Sequence, residues 1–356
     1  MRNSLLAAAA AGAGLLYGNT ASASAWTPPT NVRVVQQTNA PTTNVYTTIQ
    51  AAFASIPMTG TAAPSAGNPF VVRVMPGVYD LGTGSLQMKP YVDVEGSGPD
   101  NTIITSSNAN VDGGTCTVGT VLMANNTSIR NIKIVNRAPA LNGAYVTVAA
   151  LVFNNAKAKA EGISVLTGSN AAEGGQNDGI CTFGVFADAT LNNVTVETYN
   201  TGTSGQSNAI ITMGGRLTLT NSKLTSHASQ DVWCNVINDN SDWQTPSTLT
   251  IVNSTVEGVC PNGDAVFAGI NTVSISNSTL VLNVSAGGTA MPFNYGGALS
   301  MVNSRILVSG GTAYYYFVDP ATVKIANSQL PGDLSGLAGG KLVNMYDENF
   351  NPIPNQ

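Results

Sequence analysis

Five segments of the chain share one alternation of apolar and polar residues about an asparagine. They are Leu217-Thr-Leu-Thr-Asn221-Ser-Lys-Leu224, Leu249-Thr-Ile-Val-Asn253-Ser-Thr-Val256, Val273-Ser-Ile-Ser-Asn277-Ser-Thr-Leu280, Leu299-Ser-Met-Val-Asn303-Ser-Arg-Ile306 and Val323-Lys-Ile-Ala-Asn327-Ser-Gln-Leu330. Each sets apolar side chains four and two positions before the Asn and three after it. Asn193, with Leu191 and Val196, and Asn131, with Ile129 and Ile134, are weaker members upstream. From Asn193 onward the asparagines recur once per coil-sized interval, and the gap from Asn131 to Asn193 is two such intervals. Period-two alternation on both sides of the Asn predicts strand, turn, strand, with one face apolar. Short strands repeating every ~24–32 residues suit a solenoid whose coils stack at about 4.8 Å.

The expectation is therefore an all-β chain, a single-stranded right-handed parallel β-helix. Asparagine tolerates the left-handed conformation a sharp turn needs, and its carboxamide is expected to bond to the Asn of the next coil, forming a ladder. Glycosylation is a competing reading, since Asn193-Val-Thr, Asn253-Ser-Thr and Asn277-Ser-Thr fit the acceptor pattern. An open solenoid end exposes core and strand edges. Tyr46, Ile49, Phe53 and Ile56 fall at helical spacing before Pro57, which predicts a short amphipathic N-terminal capping helix. Gly and Ser clusters around 59–68, 167–176 and 201–207 mark loops leaving the stack. No linker divides the chain. The organisation expected is a signal peptide over 1–25, the β-helix over 26–330, and a C-terminal cap or tail over 331–356.

The signal peptide rests on Arg2, the apolar run Leu5 to Leu16, and Ala23-Ser24-Ala25 before Trp26, the tripartite pattern of an export signal. It predicts an exported protein, secreted or at the cell surface, and no apolar run is long enough for a membrane span. In an oxidising compartment Cys116, Cys181, Cys234 and Cys260 allow three two-bridge pairings, or buried free thiols. Composition narrows the chemistry. There are 14 Lys+Arg against 19 Asp+Glu, a net charge of −5, one histidine and 38 asparagines. So few cations make a nucleic-acid partner unfavourable. A single His, His227, disfavours histidine metal sites and histidine triads, so hydrolytic chemistry would run on carboxylates.

Three strings carry a resemblance: Tyr46-Thr-Thr-Ile-Gln-Ala-Ala-Phe with Ile56-Pro57, Val71-Val-Arg-Val-Met-Pro-Gly77-Val-Tyr79-Asp, and Val94-Glu-Gly96-Ser-Gly98 followed by Thr102-Ile-Ile-Thr105. Together they resemble the start of the pectinesterase family, which folds as a right-handed parallel β-helix within the wider pectin-lyase-like group. Further on, Gln230-Asp231 resembles the family's Gln-Asp motif, and Asp264-Ala-Val-Phe267-Ala-Gly269 approximates its Asp-Phe-Ile-Phe-Gly motif. The resemblance implies Asp231 as general acid/base, Asp264 as nucleophile and Gln230 as part of an oxyanion site, with no cofactor or metal. Paired carboxylates take such roles when their environments separate their pKa values. Two departures stand out. The family's first Gln motif falls near Gln206-Ser-Asn208-Ala-Ile, one or two positions out of register. The arginine of its Leu-Gly-Arg-Pro-Trp motif has no counterpart in Tyr314-Tyr-Tyr-Phe317-Val-Asp319-Pro320.

Trp233, Trp243 and the Tyr314–Tyr316 run, with Tyr315 at its centre, are candidates for stacking on sugar faces. His227 reads as an exposed turn residue. Asn238, Asn240 and Asp242 alternate like part of a calcium loop but lack its Gly and Glu. The function expected is an exported pectinesterase-like protein that engages a pectin-like extracellular polysaccharide and hydrolyses uronate methyl esters. One alternative is a non-catalytic, adhesin-like surface or matrix β-helix. The other is a polysaccharide lyase, for which Arg216, Lys223 and Arg305 supply basic groups that nothing in the sequence assembles.

Overall fold

The computed structural model describes residues 30–37, 42–110, 116–137, 146–169, 175–200, 202, 205–229, 232–240, 247–261, 265–269, 272–295, 297–317 and 322–355. The sequence-predicted signal peptide lies outside them. At each repeat asparagine the backbone turns through the left-handed region: φ is 55° at Asn131, 53° at Asn193, 52° at Asn221, and 50° at Asn253, Asn277, Asn303 and Asn327. That conformation costs an L-residue with a Cβ about 1–2 kcal/mol, and Asn is among the few that visit it routinely. Between Asn131 and Asn193 stands Gly162, at φ 59°. It is the hidden member of the repeat, since glycine does the same work without a carboxamide.

A coil is built of three strands, and among the described residues the strands of successive coils pair in parallel. Gly215–Thr220 pairs with Asp188–Asn192 before it and Ser247–Val252 after it. Beyond Asn221, Lys223–Ala228 pairs with Thr195–Asn200 and Thr255–Val259. A third position stacks Thr147–Asn154, Gln176–Phe183 and Gln206–Met213. Among the described residues the first face is a sheet of thirteen strands, and the other two merge into one of eighteen. The fold is thus a right-handed parallel β-helix, as the repeat predicts.

Its buried polar ladder is made by serine, not by the asparagine carboxamides. Each repeat Asn is exposed, whereas the Ser after it is 2–6% exposed at Ser222, Ser254, Ser278, Ser304 and Ser328. The backbone N–H of Ser222 donates to Ser254 Oγ, Ser254 to Ser278, Ser278 to Ser304 and Ser304 to Ser328, each at 3.1 Å. Every one of these hydroxyls donates in turn to the carbonyl two positions back, as Ser278 does to Ser276 at 2.8 Å. Among the described residues two repeat-Asn carboxamides meet only at Asn253–Asn221, 3.4 Å, while Asn221 donates to Asn192 at 3.0 Å and Asn327 accepts from Asn344 at 3.1 Å. The Asn side chain points to solvent, where water satisfies it. The hydroxyl is short enough to turn back onto its own backbone.

One apolar core runs the length of the stack, from Val35, Ile49 and Phe53 to Leu337, Leu342 and Met345. Helix α1 (Ile49–Ala54) packs on the first strands with Ile49, Ala52 and Phe53 buried, and Thr48 Oγ1 accepts from Ala51 N–H at 3.1 Å. It begins later than the helical spacing predicts because Val45–Tyr46 is drawn into a strand beside Val34–Val35. At the far end Lys341–Val343 adds a last strand to the first face, and Met345–Tyr346 pairs antiparallel with Pro352–Ile353. All four cysteines are bridged, Cys116 to Cys181 and Cys234 to Cys260. No helix among the described residues is long and apolar enough to cross a membrane.

Candidate functional site

On the third face, strands Thr147–Asn154, Gln176–Phe183 and Gln206–Met213 are buried on both sides. Leu151, Ile180 and Ile210 enter the main core, whereas Ala149, Val152, Cys181 and Ile211 form a second cluster with Cys116 outside the sheet. Asp178 and Asn208 are the register partners of Ala149, so they lie on this outer side. Gln176 and Gln206 are partners two positions earlier. Gly179 permits the arrangement: a Cβ there would stand 2.3 Å from Val196 Cγ1 and 2.7 Å from the Ala209 carbonyl oxygen.

These side chains bond across coils. Gln176 Nε2 donates to both Asp178 carboxyl oxygens, at 3.2 and 3.0 Å, and Asn208 Nδ2 to one of them at 2.8 Å. Asn208 Nδ2 also approaches Gln206 Oε1, at 3.5 Å, which accepts from Asn238 Nδ2 at 3.1 Å. Asp178 and Asn208 have no solvent exposure, Gln176 and Asn238 have 5%, and Gln206 is half-buried, linking the group to the surface. Burial pushes the Asp178 carboxyl up to about 7, against the pull of the Asn208 and Gln176 donors. Such a group exchanges a proton near neutrality, the range in which a general acid or base works best. The buried Asn208 Oδ1 has no hydrogen-bond partner, an orphan acceptor of the kind native interiors rarely keep.

Of the sequence-predicted site residues, Gln230, Asp231, Asp264 and Trp243 lie outside the described residues. Trp233 begins a short strand in register with Gln206, but its side chain is not among those described. Tyr315 is a correction. It is fully buried, and its hydroxyl donates to the Pro331 carbonyl at 3.0 Å, so its ring offers no face to a sugar. Strand alternation turns it inward and leaves Tyr314 and Tyr316 exposed. His227 is likewise no turn residue. It lies half-buried in Lys223–Ala228, stacked on Tyr199 at 4.4 Å with its Nε2 3.4 Å from Glu197 Oε1. Tyr199 donates to that same oxygen at 2.5 Å, and this bond, ahead of burial, pushes its hydroxyl up to about 12. The cations named for a lyase are dispersed. Arg216 stands on the first face, whereas Lys223, 3.4 Å from Glu257, and Arg305 stand on the second.

The Gln176–Asp178 group escaped the sequence reading, although a signal was present. Gly175-Gln176-Asn177-Asp178-Gly179-Ile180 is paralleled, position for position and one coil later, by Gly205-Gln206-Ser207-Asn208-Ala209-Ile210.

No protein-family model and no curated protein matches the sequence. Among solved structures the chain is similar to the pectin methylesterase from carrot, with a TM-score of 0.39 and 15% identity over 92% of this chain and 80% of that one. It is similar to the pectin methylesterase PemA from Erwinia chrysanthemi, with a TM-score of 0.39 and 14% identity over 92% and 85% of the two chains. A third similar structure is the tailspike protein gp49 of the Acinetobacter baumannii bacteriophage Fri1, a capsular polysaccharide depolymerase, with a TM-score of 0.41 and 10% identity over 81% and 58%.

Proposed function

We propose that the chain is an exported, pectinesterase-like β-helix protein that engages extracellular polysaccharide and hydrolyses uronate methyl esters. In this reading Asp264 attacks the ester carbonyl, Asp231 donates a proton to the departing methanol and then draws one from water, and Gln230 helps hold the oxyanion. The observation that carries it is the polar group on the third face. Gln176, Asp178, Gln206, Asn208 and Asn238 concentrate carboxamide donors and a carboxyl of near-neutral pKa on the outer side of successive coils. The strands that follow the motif residues in the chain, Trp233–Cys234 and Ala265–Gly269, belong to the same eighteen-strand sheet. Two disulfides agree with an oxidising compartment and hence with export.

A second reading, a non-catalytic surface or matrix β-helix, is favoured by one coil. Where the resemblance asks for an arginine, Tyr314–Phe317 sends Tyr315 into the core. Methanol release from methyl-esterified pectin separates the two. The chain lacking residues 1–25 is expected to release methanol, and Asp231→Ala and Asp264→Ala to lower the rate by at least about a hundredfold. Equal background rates from all three proteins would remove the esterase and leave the non-catalytic reading.

A further inference from the structure

A groove of about 600 Å³ runs over the asparagine turns of the last coils, far along the chain from the Asp178 group. Its floor is built by repetition. Asn277, Asn303 and Asn327 all turn the backbone at φ 50°. Their side chains therefore leave equivalent turns of successive coils, about 4.8 Å apart. The carboxamides of Asn277 and Asn303 make no hydrogen bond to the described residues, so both donors and acceptors are free. Arg305, two positions past Asn303, is exposed, and its Nε is fixed by donating to Thr279 Oγ1 at 3.1 Å. The outward guanidinium nitrogens have no carboxylate partner among the described residues.

The wall is aromatic. Tyr346 is 42% and Phe350 73% exposed. Phe350 is also held at φ 62°, a conformation bulky residues almost never adopt. Asp347 enforces it. Its Oδ1 accepts the N–H groups of Asn349 and Asn351 at 2.9 and 2.7 Å, and its Oδ2 the Asn351 side-chain amide at 2.8 Å. No carboxylate among the described residues lines this groove: Asp347 is turned onto the Asn349 and Asn351 amides, and Glu348 borders a neighbouring hollow. A strained backbone that presents a large apolar ring to solvent favours contact with a ligand over folding.

We infer that this groove binds an acidic polysaccharide chain lying along the stack, with Phe350 and Tyr346 against pyranose faces, Arg305 on a uronate carboxylate and the Asn turns on ring hydroxyls. Aromatic planes suit the C–H faces of sugars, and guanidinium suits carboxylate. The coil spacing is also close to the rise of one pyranose residue, so successive turns meet successive sugars. The inference rests on the polysaccharide reading above but not on its ester chemistry.

Titration calorimetry of the chain lacking residues 1–25 with hexagalacturonate and with neutral cellohexaose tests it. The acidic hexamer is expected to bind saturably and more tightly than the neutral one. Phe350→Ala and Arg305→Gln should each weaken it about tenfold, with the unfolding transition unchanged because both side chains are exposed. Acidic binding unchanged in both variants would overturn the groove while leaving the polysaccharide reading intact. Failure of the parent protein to bind either hexamer or polymeric pectin would remove both. A change in oligomeric state on Phe350→Ala, without a change in sugar affinity, would make the groove an interface between copies and likewise overturn the inference.

Discussion

Asp178 shows how much one side chain's environment matters. In sequence it is one of 19 acidic residues, in a polar stretch that carries no motif. In the coil stack it is a fully buried carboxyl, held by two carboxamides and raised to about 7 by burial. Between the ordinary value of 3.8 and about 7, the folded chain therefore binds more protons than the unfolded one. Stability from this residue is retained in acid, falls as pH rises through that window, and is fully lost above it, by on the order of a few kcal/mol. Urea midpoints at about pH 4.5 and about pH 8 should show the decline, and Asp178→Asn should flatten it. An equal decline in the variant would place its origin elsewhere. Asp178 is buried on the outer side of the sheet, where its register partners on the neighbouring coils are Ala149 and Asn208, neighbours that residues 176–180 do not announce.

Within each turn element, the Asn-Ser pair divides two tasks. The asparagine supplies left-handed backbone, and the serine supplies the buried hydrogen bond. The same carbonyl that takes the Ser278 hydroxyl, that of Ser276, also takes the Asn253 N–H at 3.1 Å. Ser278→Ala therefore leaves that acceptor satisfied and orphans only the Ser254 N–H. A buried donor left unpaired costs about 1–3 kcal/mol. Chemical denaturation should show a loss of that size, and Ser278→Thr, which keeps the hydroxyl, should recover part of it. A neutral Ser278→Ala would mean the ladder is dispensable. Periodicity located these turns, but both residues of the pair recur equally, so pattern could not tell which was buried. The answer depends on reach: Ser Oγ returns to its own strand, and the longer Asn carboxamide projects past it.

Across the full stack, the couplings that matter are between coils. Each coil touches chiefly its neighbours, so cross-links that span several coils restrain the unfolded chain most. Cys116–Cys181 closes a sequence separation of 65 and Cys234–Cys260 one of 26. Loop-closure entropy assigns them about 4 and about 3.5 kcal/mol. Replacing the first pair with alanine should lower the thermal midpoint more than replacing the second, read by circular dichroism, and the reverse order would show that strain or local packing outweighs chain entropy.

The β-helix itself was legible in the chain alone. A solenoid is specified by interactions that repeat along the chain, so Leu217, Leu249, Val273, Leu299 and Val323 announce one face as plainly as any structure could. The same pattern located the turns, down to the doubled interval that Gly162 fills. The bridging pattern, the inward turn of Tyr315, the amide cage around Asp178 and the meeting of Arg305 with Phe350 emerged only once the coils were stacked. Each joins residues on different coils, and their proximity depends on register, bulges and strand parity, which change with a slip of a single position and leave composition and period untouched.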